Sequence, residues 1–134
     1  MSKAVRLGTQ ETRPIVTTAW VLTEVADAMS SPANRPAFIR LLETLKSSQD
    51  VKILPATADL FDRGVQLYAE RADKEWSLTD CISFIVMADE GLADALTGDH
   101  HFEQAGFKAR TSSTAQVSRF CVLDLVAQRD AADG

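Results

Sequence analysis

The sequence predicts an α/β fold assembled from βαβ units, and three observations lead to this prediction. Between Arg13 and Arg110, short β-type apolar runs alternate with segments whose apolar residues recur at helical spacing. The chain has 134 residues, which is enough for one sizeable core and too few for two ordinary domains. Hydrophobic residues make up 46% and charged residues 25%, the balance of a globular protein rather than of a disordered or collagen-like one.

The first strand is predicted at Ile15-Val16-Thr17, and Thr17 or Thr18 can cap the helix that follows. That helix is expected to bury the residues of one side, namely Trp20, Val21, Val25 and Ala28. Ser30-Ser31-Pro32 ends it.

A second helix, a second strand and a third helix follow. Pro36 fits a first helical turn, and the apolar residues after it recur on one face: Phe38, Leu41, Leu42 and Leu45. The segment 51–54 is rich in β-branched residues and stops at Pro55, which predicts a short strand. Thr57 is placed to cap the third helix, and Gly64 within it indicates a close approach of another backbone. The apolar side of this helix holds Leu60, Phe61, Gly64, Val65 and Tyr68.

The fourth helix begins at Ser77-Leu78-Thr79-Asp80, is apolar nearly all round and ends at Gly91. Two short strand candidates follow, at 95–97 and 107–109, separated by Gly98-Asp99-His100-His101-Phe102. After Arg110 the segment 111–114 has the composition of a linker. We therefore expect a domain over residues 1–110, and a linker and C-terminal tail with a possible strand over residues 111–134.

The composition also excludes several classes of protein. No apolar stretch approaches the roughly 20 residues needed to span a bilayer. Residues 1–10 lack the apolar core of a secretory signal, so we expect a cytoplasmic protein with no membrane contact. Two cysteines, Cys81 and Cys121, are too few for a disulfide framework or a four-thiolate zinc site. The formal net charge of −5 argues against a broad basic face for nucleic acid, but not against an enzyme that contacts it briefly.

Three acidic residues are candidates for a site. Glu24 lies on or beside the apolar side of the first helix, where an unpaired carboxylate is costly. Asp80 lies in the first turn of the most buried helix, where the helix dipole favours negative charge. Asp99 follows a strand, and ligands of parallel sheets gather at the carboxyl ends of strands. With Ser77 and Thr79 close by, the three carboxylates would offer hard oxygen ligands suited to Mg²⁺ or Mn²⁺.

Each candidate also has a structural interpretation. Ser77 and Asp80 have the spacing of a capping box, Glu24 can pair with an arginine, and Asp99 can be a turn residue. The adjacent pair His100-His101 lacks the spacing that places two metal ligands on one helix face, so we prefer a structural or substrate-side role for it. No nucleophile elbow and no glycine-rich phosphate loop is found.

The sequence resembles the PIN-domain family, and within it the VapC-like ribonuclease toxins of bacterial toxin–antitoxin pairs. The likeness runs from about Ile15 to Lys108. It is carried by four segments: Val16 to Val25, Trp76 to Phe84, Ala95 to Phe102, and Gln104 to Phe107. It implies a three-layer α/β/α sandwich with a mainly parallel sheet and an acidic pocket for one or two divalent ions. Glu24, Asp80 and Asp99 would match the family's acids after the first, and Ser77 and Thr79 would orient them.

The resemblance further implies metal-dependent hydrolysis of RNA phosphodiester bonds with no organic cofactor, and a small antitoxin protein as partner. Dimers are the commonest assembly, so we expect a homodimer. The rival interpretation is a PIN-like binding or regulatory module that has lost its first acid and acts without cleavage.

One part of the family pattern is missing from the sequence. PIN domains begin with a central apolar strand that ends in the first catalytic aspartate, and residues 1–14 predict no such strand. Either the chain is truncated, or its site is incomplete, or another segment takes the place of this strand. The run Phe120-Cys121-Val122-Leu123-Asp124-Leu125-Val126 is one such segment, and it would bring Asp124 to the other three acids. The same run can instead form an ordinary helix, an edge strand or a dimer contact.

Overall fold

A mostly parallel sheet with helices packed on it forms the protein, as a computed structural model shows. The structure describes residues 15–97, 100–110 and 119–121. The strands are β1 Ile15–Thr18, β2 Val51–Leu54, β3 Asp94–Leu96, β4 Lys108–Arg110 and β5 Arg119–Cys121. The helices are α1 Ala19–Ala28, α2 Arg35–Ser47, α3 Ala58–Glu70, α4 Leu78–Glu90 and α5 His101–Gln104.

The strand order is β2-β1-β5-β3-β4, and every neighbouring pair is parallel. Helices cover the sheet in the three-layer α/β/α arrangement expected from the sequence. In the part of the chain that the structure describes, no helix is long and apolar enough to cross a membrane.

The predicted caps fix where the helices begin and end. The Thr18 and Thr57 hydroxyls accept hydrogen bonds from the backbone N–H groups three residues later, at the starts of α1 and α3. Ser77 and Asp80 form a complete capping box at the start of α4. Gly91 ends α4 with a φ of 70°, a left-handed conformation that glycine adopts without strain.

An aromatic cluster connects α4 to the segments at the carboxyl end of the sheet. The Phe84 ring packs edge to face on Trp76 and on Phe102, with centroid distances of 4.9 and 4.8 Å. Phe102 in turn stacks on Phe120 of β5 at 6.4 Å. Phe84, Phe102 and Phe120 are buried in the main core, so this cluster joins α4, α5 and β5 into one unit.

Helices α3 and α4 approach each other closely at Gly64. Gly64 is buried, and a Cβ atom added there would overlap the Ile82 side chain of α4. The predicted close approach is confirmed, with the side chain of Ile82 as the nearest group.

Two apolar helix faces are less buried than their spacing suggests. No residue of α2 is fully buried, and Phe38 and Leu42 line a groove of about 320 Å³ that α2 shares with α1 and β2. On α3, Phe61, Val65 and Tyr68 are exposed, and the inner side is formed by Leu60, Gly64 and Leu67. On α2 the predicted apolar face is the half-buried one, whereas on α3 the residue pattern did not show which of two adjacent apolar stripes packs inward.

Strand β5 comes from the C-terminal tail and lies in the middle of the sheet, between β1 and β3. Its residue Phe120 is 0% exposed. Residues 119–121 therefore form a central strand, the placement hypothesised for the run that begins at Phe120, and not a helix or an edge strand. Asp124, which belongs to the same hypothesis, lies outside the described residues.

Candidate active site

The carboxyl ends of three neighbouring strands meet at one edge of the sheet, because β1, β5 and β3 are parallel. Buried threonines mark this edge. The Thr17 hydroxyl donates a hydrogen bond of 3.0 Å to the carbonyl of Cys121, which joins the ends of β1 and β5. Thr97 follows β3 directly and is buried as well. The sheet therefore provides a fixed frame for side chains that follow these strands.

Asp80 lies at this edge, in the first turn of α4. Its backbone N–H donates to the Ser77 hydroxyl at 3.0 Å, and its Oδ2 accepts from the Ser77 backbone N–H at 3.1 Å. Ser77 and Asp80 therefore form both hydrogen bonds of the predicted capping box. It does not compete with a second role, because a carboxylate has two oxygens and about four acceptor positions.

Asp80 also contacts the segment that follows β3. Its Oδ2 lies 3.4 Å from Nδ1 of His101, and the two side chains are only 15% and 21% exposed. A second contact joins the same two segments, because the Trp76 indole N–H donates a hydrogen bond of 3.0 Å to Oε1 of Gln104. The start of α4 and helix α5 are therefore held together at two points.

The remaining predicted site residues are placed as follows. Glu24 lies in α1, is exposed and directly precedes the buried Val25. Thr79 is half-buried, and its carbonyl accepts a hydrogen bond of 2.9 Å from the Ser83 hydroxyl. Asp99 lies outside the described residues. Within the described ranges, no group of three or more His, Cys, Asp or Glu side chains is arranged to hold a metal ion.

Cys81, at the start of α4, is not suited to act as a nucleophile. Burial, together with the neighbouring Asp80 carboxylate, raises the pKa of the Cys81 thiol above its ordinary value. A nucleophilic cysteine needs a lowered pKa. Both described cysteines are free, and Cys81 is buried, which agrees with the predicted reduced, structural role.

Sequence reasoning did not predict the contact of His101 with Asp80. The adjacent histidines drew attention, but nothing in their spacing relates them to a residue on α4. The contact depends on the path of the chain after β3, which is a tertiary feature.

Comparison with known protein families identifies the chain as a PIN domain. The PIN domain family model matches residues 3–108, and the chain belongs to this family. The matched region begins at residue 3, upstream of Ile15, which is the first residue of the likeness found from the sequence motifs.

Among solved structures, the chain is similar to VapC20 of Mycobacterium tuberculosis, a toxin that cleaves the sarcin-ricin loop. The TM-score is 0.63 at 26% identity, over 70% of this chain and 72% of that chain. The resemblance to VapC-like PIN domains is thereby confirmed. No curated protein matches the sequence.

Proposed function

We propose that this chain is a metal-dependent endoribonuclease, the toxin of a toxin–antitoxin pair that acts in the cytoplasm. The observation that carries the proposal is the contact between Asp80 and His101 in a chain of the PIN family. It connects the helix start that bears one predicted acid to the segment that bears another, because Asp99 is two residues before His101 in the chain. The similar protein VapC20 is a toxin that cleaves the sarcin-ricin loop, which supports RNA as the substrate proposed for this chain.

In this proposal Glu24, Asp80 and Asp99 hold Mg²⁺ or Mn²⁺, since hard carboxylate oxygens are the ligands these ions prefer. The ion would make a water more acidic and neutralise charge on the scissile phosphate. Ser77 holds the Asp80 carboxylate through a hydrogen bond to Oδ2, and such a bond would orient the carboxylate as a ligand of the ion. Thr79 helps to orient the same turn.

Asp124 is the fourth carboxylate that we propose for the site. The register pairs Asp94 with Arg119 and Leu96 with Cys121, and the same offset relates Asp99 to Asp124. Both aspartates therefore follow the last paired residues of adjacent parallel strands at equal distance along the chain. In this way a C-terminal strand would supply the acid that the family places after its first strand.

We further propose a small antitoxin as protein partner and a homodimer as the assembled form. Ile39 on α2 and Phe61 and Val65 on α3 are exposed apolar residues, the kind of surface that dimer interfaces bury. Light scattering after size-exclusion chromatography tests the dimer, with a monomeric mass as the opposing result.

The experiment that tests the function separates the two roles of Asp80. Cleavage of a single-stranded RNA is followed as Mn²⁺ is added, for the wild type, Asp80→Asn and Ser77→Ala. Asparagine keeps an acceptor for the Ser77 N–H, so Asp80→Asn should cost under about 1 kcal/mol of stability and at least about a hundredfold in rate. Ser77→Ala loses the cap, at about 1 kcal/mol, and should retain measurable cleavage.

The opposite pattern would favour a purely structural Asp80. In that case Asp80→Asn unfolds the chain or leaves the cleavage rate at the wild-type level. RNA binding without cleavage by the wild-type chain at any Mn²⁺ concentration would support the rival function, a PIN-like binding or regulatory module.

A further inference from the structure

A cleft beside Asp80 is not used by the proposed metal site. It lies where the turn after α3 meets the start of α4 and has a volume of about 490 Å³, a size typical of small-ligand sites. The lining includes two cations, a carboxylate and two aromatic rings: Tyr68, Arg71, Lys74, Glu75, Trp76 and Cys81. Because Cys81 is the residue after Asp80, the cleft reaches the first turn of α4, which carries the proposed metal ligand.

Two neighbouring residues hold the planar Arg71 guanidinium in this cleft. Its guanidinium carbon lies 5.3 Å from the centroid of the Trp76 ring, within the range of a cation–π contact. Its edge donates to Asp73 through two nitrogens, each at 3.1 Å. Trp76 is 6% exposed and is fixed by its bond to Gln104. The Arg71 guanidinium is therefore held by its contact with the Trp76 ring and by its two hydrogen bonds to Asp73.

The other groups of the cleft complete a surface for a nucleotide. Tyr68 is 53% exposed, so its ring is accessible to a ligand. The Lys74 ammonium lies 3.9 Å from the Asp73 carboxylate, in an ion pair whose two side chains are 28% and 61% exposed. Exposed ion pairs are weak, so a phosphate can replace Asp73 as the partner of Lys74. Glu75 offers an acceptor for the amino group of a base.

We propose that this cleft binds one nucleotide of a single-stranded RNA, with the base stacked on Arg71 and Tyr68 and a phosphate at Lys74. RNA bases stack on aromatic rings and on guanidinium planes. In a chain of net charge −5, Arg71 and Lys74 are cations that could contact a phosphate at this cleft, beside the acids Asp73 and Glu75. The inference rests on the proposed function for its ligand class, and it adds a contact that the carboxylates do not make.

The test measures binding and cleavage separately. Binding of a single-stranded RNA octamer is followed in EDTA by the fluorescence of Trp76, in a Trp20→Phe background that leaves one tryptophan. Arg71→Ala should weaken binding and raise KM by about fivefold or more, with kcat unchanged. Arg71→Lys keeps the charge but loses the plane, so it should weaken binding as well.

The matched control is Arg40→Ala, which removes an exposed cation of α2 that lies outside the cleft and should leave binding unchanged. Urea unfolding checks that each variant folds. If Arg71→Ala does not fold, Tyr68→Ser, at the exposed rim of the cleft, replaces it in the binding and cleavage assays. Wild-type affinity for the octamer in both Arg71→Ala and Arg71→Lys, with cleavage intact, would overturn the cleft proposal and keep the proposed nuclease. If RNA binding depends on Arg71 but the chain does not cleave RNA in Mn²⁺, the proposed binding cleft is kept and the proposed nuclease activity is overturned. Neither binding nor cleavage would overturn both.

Discussion

Replacing Phe120 by alanine tests whether the C-terminal strand belongs to the core. Phe120 is 0% exposed and stacks on Phe102, in a strand paired on both sides. Removing a fully buried phenylalanine ring costs about 3–5 kcal/mol. Since small domains are stable by only about 5–15 kcal/mol, Phe120→Ala should lose a large part of the free energy of unfolding.

The assay is urea unfolding followed by tryptophan fluorescence. With a urea dependence of about 2 kcal/mol per molar, the midpoint should fall by about 2 M. Phe120→Leu, which keeps most of the volume, should lose about 1 kcal/mol and remain folded. The control is Phe61→Ala, since Phe61 is 41% exposed and packs only against the Trp20 ring among described aromatic residues; we expect about 1 kcal/mol there. Equal midpoints for Phe120→Ala and Phe61→Ala would show that β5 does not lie in the core.

Three further predictions concern single contacts. Gly64→Ala should destabilise the chain by about 1–3 kcal/mol in urea unfolding, because the added methyl overlaps Ile82; a gain of stability, as for alanine in an open helix, would contradict this packing. The hydrogen-bonded Arg63 lowers the pKa of Asp89, so the pair stabilises the fold above about pH 3.9 and the stabilisation is lost as the pH falls through the lowered pKa. Asp89→Asn should therefore lower the melting temperature more at pH 7 than at pH 2, and an equal shift at both would refute this. Thr17→Val, which loses the bond to β5, should cost about 1 kcal/mol, and wild-type stability would place the end of β5 elsewhere.

Local features of the fold were predictable from the sequence because they depend on near neighbours. Thr18 and Thr57 act as caps, and Ser77 with Asp80 forms the expected capping box. Strand β2 has the predicted bounds. β3 is shifted by one residue from the predicted run, which is within the usual uncertainty of element ends.

Tertiary features were less accessible. The spacing of apolar residues on α3 could not show that Gly64 faces α4 while Val65 faces solvent, since both lie on neighbouring stripes of one helix. The sequence could not show that β5 lies in the middle of the sheet, because parallel pairing joins segments that are far apart in the chain. For the candidate site, the sequence led to the proposed acids, which stay a prediction, but it did not indicate the contact of Asp80 with His101.

The most direct test of the metal site is a calorimetric titration of Mn²⁺ into the wild type and into Asp80→Asn and Asp99→Asn. If the two aspartates share one ion, the wild type binds Mn²⁺ and each substitution weakens its affinity by about tenfold or more, while urea unfolding shows that both variants remain folded. If the wild type takes up no Mn²⁺, or if both variants bind it as the wild type does, these aspartates do not form a metal site.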